Sequence, residues 1–369
     1  MNSFSLFTPG RVNLIGEHTD YNDGLVLPMA IEKGIVMNVQ RRTDRLAVLR
    51  SDHQTSSITL DLTKELLAGE HHWSCYLQGV IAGFQRLGWE IPGFECDISA
   101  TLPSGGGLSS SAALEVGMAT VIETLCEQKI SLEEKALLSQ KAEHEFAGVP
   151  CGIMDQFAVT FGKADSALLL DCRDRHIEYV PLIPEVAILV INCGVKHSLV
   201  DGEYAMRRSQ CEQAAKELGV SSLRDVSWER WQRDANTLGG VVRQRAQHVI
   251  SEHQRTLTFV EALKNKQWHA AGIAMYASHE SLRDDYAVSC AELDQLVEIS
   301  RTIEGVHGCR MTGGGFGGCV VALIDPLHAT SIMETFRQNY LQKSGIDAEM
   351  FVTRAANGPT IISQSELEK

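Results

Sequence analysis

The stretch Leu102-Pro-Ser-Gly-Gly-Gly-Leu-Ser-Ser-Ser-Ala-Ala-Leu114 joins a strand-like run to the start of a helical pattern. Its glycines permit tight turns and a close approach of the backbone to a ligand. The N–H groups at a helix start point outward with the positive end of the helix dipole, so the stretch predicts a phosphate-binding loop. A serine hydroxyl there can also reach a Mg²⁺ ion held by the phosphates. The alternative is a flexible loop with an ordinary serine N-cap.

A second polar stretch lies near the N-terminus, at Pro9-Gly-Arg-Val-Asn-Leu-Ile-Gly-Glu-His-Thr-Asp-Tyr-Asn22. It brings Arg11, Glu17, His18 and Asp20 into one short segment. Carboxylates accept hydrogen bonds from hydroxyl groups, whereas imidazole and guanidinium groups donate them. The segment therefore indicates a site for a polyhydroxylated ligand. The alternative is a solvated turn with surface ion pairs.

A third stretch, Thr312-Gly-Gly-Gly-Phe-Gly-Gly318, satisfies the G-x-G-x-x-G pattern of dinucleotide-binding proteins. That pattern must follow a strand and open a helix, but here Cys319-Val-Val-Ala-Leu323 continues as a strand. We therefore expect this glycine loop (312–318) to pack beside the serine loop (102–111) rather than to bind a dinucleotide. The serine loop is not a Walker A motif either, because no G-x-x-x-x-G-K-[ST] occurs in the chain.

Asp155 lies among apolar neighbours, in Cys151-Gly-Ile-Met-Asp-Gln-Phe157. A carboxylate in such a place needs a partner or a shifted pKa. Arg11 is the obvious candidate partner. From the residues alone, a structural ion pair and a catalytic pair are equally good interpretations.

The 13 histidines and 10 cysteines indicate neither a metal centre nor a disulfide framework. No H-E-x-x-H and no C-x-x-C pair occurs, and the candidate clusters of histidine with carboxylates are Glu17-His18 and Glu143-His144-Glu145. Several cysteines lie in apolar runs, so we expect reduced thiols in a reducing compartment.

The chain has 369 residues and a formal net charge of −14. Such acidity repels phosphate backbones and anionic membrane surfaces, so we expect no nucleic acid and no membrane as a partner. The first residues have no basic start, which argues against a signal peptide. No run reaches the ~18 apolar residues of a membrane span. The expected location is the cytoplasm.

Strand-like and helix-like runs alternate irregularly, which favours an α+β fold over a doubly wound sheet. The apolar spacing after Ser111 predicts a helix. Ser131-Leu-Glu-Glu134 is a capping box that opens a second helix, ending near Phe146. Residues 204–299 are predicted to be mostly helical, and a domain boundary is expected within 165–200. The other predicted elements are strands at 34–39, 47–50, 94–102, 167–171, 186–192, 318–324 and 349–353, the last of the chain, and a helix at 329–341.

The order of these motifs resembles the superfamily of galactokinases, homoserine kinases, mevalonate kinases and phosphomevalonate kinases. The first motif and Cys151-Gly-Ile-Met-Asp-Gln156 match galactokinases within it, and the resemblance extends from about Phe7 to beyond residue 350. It implies an N-terminal α+β domain (1–170) and a C-terminal ferredoxin-like α+β domain (171–369), with the active site between them. Galactokinases usually carry a leading helix before the first motif, whereas only nine residues precede Gly10 here.

The resemblance also implies roles for single residues, by match to the family motifs. Arg11 and Asp155 correspond to the catalytic pair, and Ser111 and Glu143 to the Mg²⁺ contacts. Sugar contacts are implied for Glu17, His18, Asp20, Gly152 and Tyr204, and nucleotide contacts for Trp73, near the adenine, and for Gly105, Gly106, Gly107, Leu108, Ser109, Ser110 and Ser111, on the phosphate loop.

These roles imply ATP-dependent phosphorylation of galactose at its anomeric C1 hydroxyl, with Mg²⁺. Asp155 would take the proton of that hydroxyl or orient it, and both versions stay open. Two other functions also stay open: a kinase for N-acetylgalactosamine, and a non-catalytic sugar-sensing regulator on the same fold. The expected partners are the small molecules galactose and ATP, and the expected oligomeric state is a monomer.

Overall fold

The computed structural model describes residues 2–69, 73–103, 105–196 and 200–362. Strands and α-helices are interspersed along them. The strands are β1 (Ser3–Asn13), β2 (Leu25–Val26), β3 (Pro28–Arg41), β4 (Leu46–Ser51), β5 (Ile58–Asp61), β6 (Phe94–Ala100), β7 (Ser166–Asp171), β8 (Ile177–Pro181), β9 (Ala187–Lys196), β10 (Val306–Thr312), β11 (Gly317–Ile324), β12 (Met350–Thr353) and β13 (Thr360–Ile362). The helices are α1 (Cys75–Arg86), α2 (Ser110–Cys126), α3 (Leu132–Ala142), α4 (Met154–Thr160), α5 (Val200–Glu217), α6 (Trp228–Asp234), α7 (Gly240–Lys264), α8 (Trp268–Asp284), α9 (Ala291–Ser300) and α10 (Ala329–Ser344).

A six-stranded sheet forms one layer of the N-terminal half, in the order β13-β1-β3-β6-β4-β5. Neighbouring strands are antiparallel except β4 and β6, which run parallel. Helix α2 packs on β1 and β3, and α1 packs on α2. The apolar side chains in this first core include Phe84, Phe94 and Ile122, all fully buried. This packing fixes the start of α2 close to the end of β1.

A four-stranded antiparallel sheet, in the order β10-β11-β9-β12, separates the first core from a second one. Side chains alternate between the two faces of a strand. In β11, Val321 and Leu323 accordingly belong to the first core, whereas Val320 and Ile324 belong to the second. Every residue of β11 is buried for this reason.

The end of the described chain returns to the first sheet. After β12 has paired with β9, Ala355 forms a bridge to Ile31. Strand β13 then pairs with residues 5–7 of β1. A third, small sheet has the order β2-β7-β8, and its strand β2 comes directly after the first motif in the sequence. The N-terminal layer is therefore completed by residues from the far end of the sequence.

The predicted α+β class is confirmed, and so is the capping box, in which Ser131 and Glu134 make both reciprocal hydrogen bonds. The helix predicted after Ser111 begins one residue earlier. The helix predicted to end near Phe146 is α-helical only to Ala142 and continues as a π-helical turn, Glu143–Ala147. The prediction that 349–353 is the last strand was wrong, because three residues pairing with β1 are too short to show a strand period.

Candidate active site

A β-bulge in β1 directs Arg11 toward the serine loop. The register between β1 and β3 shifts at Gly10, and a Cβ on Gly10 would lie 2.7 Å from the carbonyl oxygen of Leu108. The backbone N–H of Arg11 donates to that same oxygen at 3.1 Å. Its Nη1 donates to the carbonyl oxygen of Gly107 at 2.5 Å. The bulge therefore anchors Arg11 at both its backbone and its side chain.

Ser109 closes the serine loop in a left-handed conformation, with φ of 58°, and α2 begins at Ser110. Its hydroxyl makes no cap hydrogen bond. It donates instead to Oδ2 of Asp155 at 2.5 Å. The ordinary serine N-cap considered above is therefore absent at Ser109. The first backbone N–H groups of α2 have no intrahelical acceptor and are available to an anion.

The predicted ion pair between Arg11 and Asp155 is present with two parallel contacts. Nε of Arg11 donates to Oδ1 at 2.9 Å, and Nη2 donates to Oδ2 at 3.0 Å. The Arg11 side chain is 5% exposed and that of Asp155 is 26% exposed. The guanidinium is therefore fixed by the protein, whereas part of the carboxylate faces open space. Such bidentate pairs hold both groups in one orientation.

The glycine loop packs beside the serine loop, as predicted. Gly313 and Gly318 have φ of 84° and 82°, in the left-handed region. A Cβ on Gly313 would lie 3.0 Å from the carbonyl oxygen of Gly107, and one on Gly318 would lie 3.2 Å from that of Gly106. Side chains at these positions would push the two loops apart.

A cavity of about 330 Å³ lies between the two loops. Arg11 is the one cation among its described lining residues, so an anion in it would be held largely by backbone N–H groups. The cavity is lined by Arg11, Leu102, Pro103, Gly105, Gly106, Gly107, Leu108, Ser109, Ser110, Ser111, Asp155, Thr312, Gly314, Gly315, Gly317 and Gly318.

A second cavity, of about 170 Å³, shares Arg11, Asp155 and Gly314 with the first. Its wall brings together all five residues for which sugar contacts were expected. The lining residues are Arg11, Glu17, His18, Asp20, Glu143, Val149, Cys151, Gly152, Met154, Asp155, Tyr204, Gly313 and Gly314. The ion pair therefore stands where the larger cavity, between the two loops, meets the smaller one.

Asp20 lies directly against Gly152, since a Cβ on Gly152 would be 1.7 Å from Oδ2 of Asp20. The backbone of Gly152 also hydrogen-bonds the Tyr204 hydroxyl. Burial, and after it the negative charges of Asp155 and Glu17, raise the pKa of Asp20 to about 7. Asp20 therefore changes its charge near neutral pH, and the absence of a side chain at Gly152 is what admits it to the cavity.

Glu17 joins the first motif to the glycine loop. Its Oε1 accepts the backbone N–H of Gly313 at 2.7 Å and lies 3.6 Å from Nη1 of the buried Arg310. Burial raises the pKa of Glu17, against the opposing charges of Arg310 and Arg11. With Arg11, Glu17 and His18 all buried, the alternative of a solvated turn is excluded.

His18 is uncharged in this site. Burial is the main cause, and the neighbouring His248 adds to it, so that the pKa of His18 is lowered to about 3. Its Nδ1 lies 2.8 Å from the Tyr21 hydroxyl, and its Nε2 lies 3.3 Å from the carbonyl oxygen of Gly314. A neutral imidazole donates from one nitrogen only.

Ser111 and Glu143 are adjacent, as their expected shared role requires. The Ser111 side chain hydrogen-bonds Glu143, whose Oε2 also accepts Nε2 of Gln156 at 2.6 Å. Burial and the charge of Asp155 raise the pKa of Glu143, so a cation here would stabilise its ionised form. Hydroxyl and carboxylate oxygens suit Mg²⁺. Within the described ranges no group of three or more His, Cys, Asp or Glu is placed so that it could hold a metal ion.

Two functional neighbours were missed by the sequence reasoning, Gln156 and Glu115. Both are fully buried, and Nε2 of Gln156 donates to Oε2 of Glu115 at 2.9 Å as well as to Glu143. The one available signal was that Glu115 follows Ser111 by four residues, on the same face of α2. The π-helical turn that begins at Glu143 was also unforeseen, although such turns are frequent at functional sites.

Trp73 lies apart from both walls. It is not among the described residues that line either cavity, and it is partly buried against the first core just before α1. Its expected contact with a nucleotide base stays a prediction.

Three family models match the chain. The N-terminal domain of GHMP kinases matches residues 75–163, the galactose-binding signature of galactokinases matches residues 2–41, and the C-terminal domain of GHMP kinases matches residues 259–342. The galactokinase of Bos taurus is 43% identical over 362 residues, 96% of this chain and 91% of that protein. The galactokinase of Haemophilus influenzae is 40% identical over 97% of this chain and 94% of its own length.

Solved structures agree with this pattern. A galactokinase of Lactococcus lactis complexed with galactose superposes with a TM-score of 0.93 and 34% identity, over 98% of this chain and 95% of that one. A mevalonate kinase superposes with a TM-score of 0.72 at 19% identity, which supports the fold alone.

No helix in the described residues is long and apolar enough to cross a membrane.

Proposed function

The chain belongs to the galactokinase family, and from this premise we propose that it transfers the γ-phosphoryl group of ATP to the C1 hydroxyl of galactose. One observation carries the proposal: the Arg11–Asp155 pair stands at the junction of the two cavities. A phosphoryl group in one cavity and a sugar hydroxyl in the other would meet at these two side chains. Phosphoryl transfer needs little beyond such positioning and a field that stabilises the developing charge.

The triphosphate would bind between the serine and glycine loops. The N–H groups of Gly105 and Gly107 and those at the start of α2, with the helix dipole, would hold its oxygens. Gly106 would lie beside them, with its own N–H donating to the carbonyl oxygen of Pro103 at 3.3 Å. Leu108, Ser109 and Ser110 complete the loop on this side. Arg11 adds a fixed positive charge at the point of transfer. We assign the adenine contact to Trp73, which lies two residues before α1 in the sequence.

Ser111 and Glu143 would hold a Mg²⁺ ion, which supplies positive charge to the phosphoryl oxygens. The support is their mutual hydrogen bond and the buried, destabilised carboxylate of Glu143. Gln156, behind Glu143, keeps that carboxylate turned toward Ser111 through its hydrogen bond to Oε2.

Asp155 would act on the sugar hydroxyl. Its partly exposed carboxylate accepts the hydroxyl proton, either early as a base or late after orienting the attack. The hydrogen bonds from Arg11 and Ser109 hold the carboxylate still while this happens. The attacking oxygen then joins the γ-phosphorus as ADP leaves.

Galactose would be recognised by the polar wall of the smaller cavity. Asp20 accepts from ring hydroxyls, and Tyr204 and the backbone at Gly152 flank it. Glu17 is part of the same wall, where its Oε1 already accepts the backbone N–H of Gly313. His18 completes the wall as a neutral ring.

We further propose that one chain is sufficient for activity and that it works in the cytoplasm as a monomer, with a domain division near residues 170–171. All ten cysteines are free thiols, which suits a reducing compartment.

The test is an ADP-release assay with galactose, N-acetylgalactosamine, glucose, mevalonate and homoserine as separate acceptors. We expect ATP consumption with galactose, strong discrimination against glucose, and galactose 1-phosphate as the product by phosphorus NMR. Faster use of N-acetylgalactosamine than of galactose would replace the assignment by the related kinase. Galactose binding without any ATP consumption would replace it by the sugar-sensing regulator.

A further inference from the structure

His18 lies in a cage of three tyrosine rings. The centroid of its ring is 4.8 Å from that of Tyr286, 5.8 Å from that of Tyr204 and 5.9 Å from that of Tyr21. Of the three tyrosines, only Tyr204 is found among the described residues that line the two cavities, and Tyr286 is the one of the other two that is fully buried. The role of this tyrosine is therefore not explained by contact with a substrate.

The hydroxyl groups of Tyr21 and Tyr286 form a continuous hydrogen-bonded chain with His18. Nδ1 of His18 is 2.8 Å from the Tyr21 hydroxyl, which is 2.8 Å from the Tyr286 hydroxyl. The thiol of the buried Cys211 lies 3.1 Å from the Tyr286 hydroxyl. At the other end, Nε2 of His18 is 3.3 Å from the carbonyl oxygen of Gly314.

The carbonyl group at the end fixes the direction of every proton in this chain. A carbonyl oxygen only accepts, so Nε2 of His18 carries the proton and Nδ1 is an acceptor. Tyr21 therefore donates to His18, and its oxygen accepts from Tyr286. Tyr286 has then used its single proton, so the thiol of Cys211 donates to Tyr286.

The backbone beside Tyr286 is held as firmly as its hydroxyl. Nε of the buried Arg207 donates to the carbonyl oxygen of Tyr286 at 2.8 Å, and Nη2 donates to that of Ala287 at 2.8 Å. Arg207 also lies over the ring of Phe316, in the glycine loop, at 5.7 Å. The Tyr286 end of this chain of hydrogen bonds is thus held by buried groups.

We propose that Tyr286 and Tyr21 are positioning residues for sugar binding, which hold His18 in the Nε2–H tautomer and so fix the cavity wall where Gly314 joins it. The inference rests on the proposed function for its substrate, but not for its geometry. Gly314 lines both cavities, so the last hydrogen bond of the chain ends at their junction. Neither tyrosine touches the reacting atoms; both act through His18.

Removal of the Tyr286 hydroxyl would leave the Tyr21 oxygen without its donor in a buried place. A buried polar atom without a partner is destabilised, and Tyr21 then no longer has one preferred orientation toward Nδ1. The Tyr21 oxygen could then accept a proton from Nδ1 of His18, and the Nε2–H tautomer would be favoured only by the 3.3 Å contact of Nε2 with the carbonyl oxygen of Gly314. His18 would exchange between its tautomers, and the wall formed by His18 and Gly314 would lose its single geometry.

The experiment compares Tyr286→Phe and Tyr21→Phe with the wild type. We expect the KM for galactose to rise about three- to ten-fold in each variant, the range for one neutral hydrogen bond, with the KM for ATP within about two-fold. Nitrogen NMR of labelled histidine, with His18 identified by the signal lost in His18→Gln, should report an unprotonated Nδ1 in the wild type. In both variants it should report a mixture of the two tautomers.

Tyr340→Phe is the matched control. Tyr340 is also fully buried and donates to a carbonyl oxygen, that of Cys193, at 2.8 Å, but it belongs to the second core away from both cavities. We expect it to lower the melting temperature without changing the KM for galactose or the His18 signals.

An unchanged KM for galactose and unchanged His18 signals in folded Tyr286→Phe and Tyr21→Phe would overturn the proposal. If Tyr286→Phe does not fold, the half-buried Tyr21 decides it alone. A wild type that ignores galactose would refute the proposed function, while the protonation of His18 Nδ1 would still test the chain of hydrogen bonds.

Discussion

Asp155 accepts hydrogen bonds from Nε and Nη2 of Arg11 and from the hydroxyl of Ser109. Asparagine keeps the size of the side chain and one acceptor oxygen but cannot take a proton. We expect Asp155→Asn to lower kcat by ~10²–10⁴-fold, the usual contribution of proton transfer, while calorimetry still detects galactose and ATP binding. Near-wild-type kcat in the folded variant would remove Asp155 from the mechanism.

The matched control for this variant is Asp171→Asn. Arg224 also contacts Asp171 at two points, from Nη1 at 3.2 Å and from Nη2 at 2.8 Å, outside both cavities. This control should lose stability without a comparable loss of kcat.

Asp20 provides a dependence on pH. Its pKa is raised to about 7 by burial and by the charges of Asp155 and Glu17, so it becomes protonated as the pH falls through that value. Protonation removes acceptor capacity for the sugar hydroxyls. We expect the KM for galactose to rise as the pH falls from 8 to 6, by up to about ten-fold per pH unit below the pKa, with a much smaller change in the KM for ATP.

Asp20→Asn should abolish this pH dependence and bind galactose weakly throughout. If the wild-type profile is flat, or if the profile of Asp20→Asn still bends near pH 7, another group is responsible.

Ser111 tests the cation site. Ser111→Ala removes a hydroxyl ligand beside Glu143, so we expect a several-fold higher Mg²⁺ concentration at half-maximal activity, and weaker Mn²⁺ binding by electron paramagnetic resonance. Ser131→Ala removes a true cap instead, since the Ser131 hydroxyl accepts the N–H of Glu134. That control should lower the free energy of unfolding by ~1 kcal/mol and leave the Mg²⁺ dependence unchanged. A Ser111→Ala variant that behaves like Ser131→Ala would have lost only helix stability.

At the scale of elements, the loop before α4 must bring its backbone against Asp20. We expect Gly152→Ala to raise the KM for galactose by at least about ten-fold, because a Cβ 1.7 Å from Oδ2 forces Asp20 out of its position. Gly239→Ala is the control, since a Cβ there meets nothing within 4 Å. The KM values of the two variants for galactose are compared, and circular dichroism checks the fold. Equal KM values would mean that galactose binding does not depend on the position of Asp20 beside Gly152.

Across the whole molecule, β11 supports both cores at once. Leu323 is fully buried in the first core, so Leu323→Ala should lower the free energy of unfolding by ~2–5 kcal/mol in urea. Because alternate residues of the same strand support the second core, we expect fluorescence and circular dichroism to shift together. Leu327→Ala, at a side chain 89% exposed, should change stability by less than ~0.5 kcal/mol. Two separated transitions would show that the cores unfold independently.

The sequence was most informative where a signal is local or where a residue conflicts with its neighbours. The capping box at Ser131 depends on residues three apart, and Asp155 stood out as a carboxylate among apolar residues, which correctly pointed to Arg11. The bond from Ser109 to Asp155 and the buried Gln156 could not be foreseen, because they depend on how α2 and α4 meet.

The return of the chain to the first sheet has a consequence during synthesis on the ribosome. Strand β1 leaves the exit tunnel some 350 residues before its outer neighbour β13 is made. The cavity between the two loops likewise cannot form until the glycine loop, some 300 residues after Arg11, has been made. At ~5–20 residues per second, the nascent N-terminal half spends many seconds with an open sheet edge. This edge, rather than the finished enzyme, is where a chaperone would be needed.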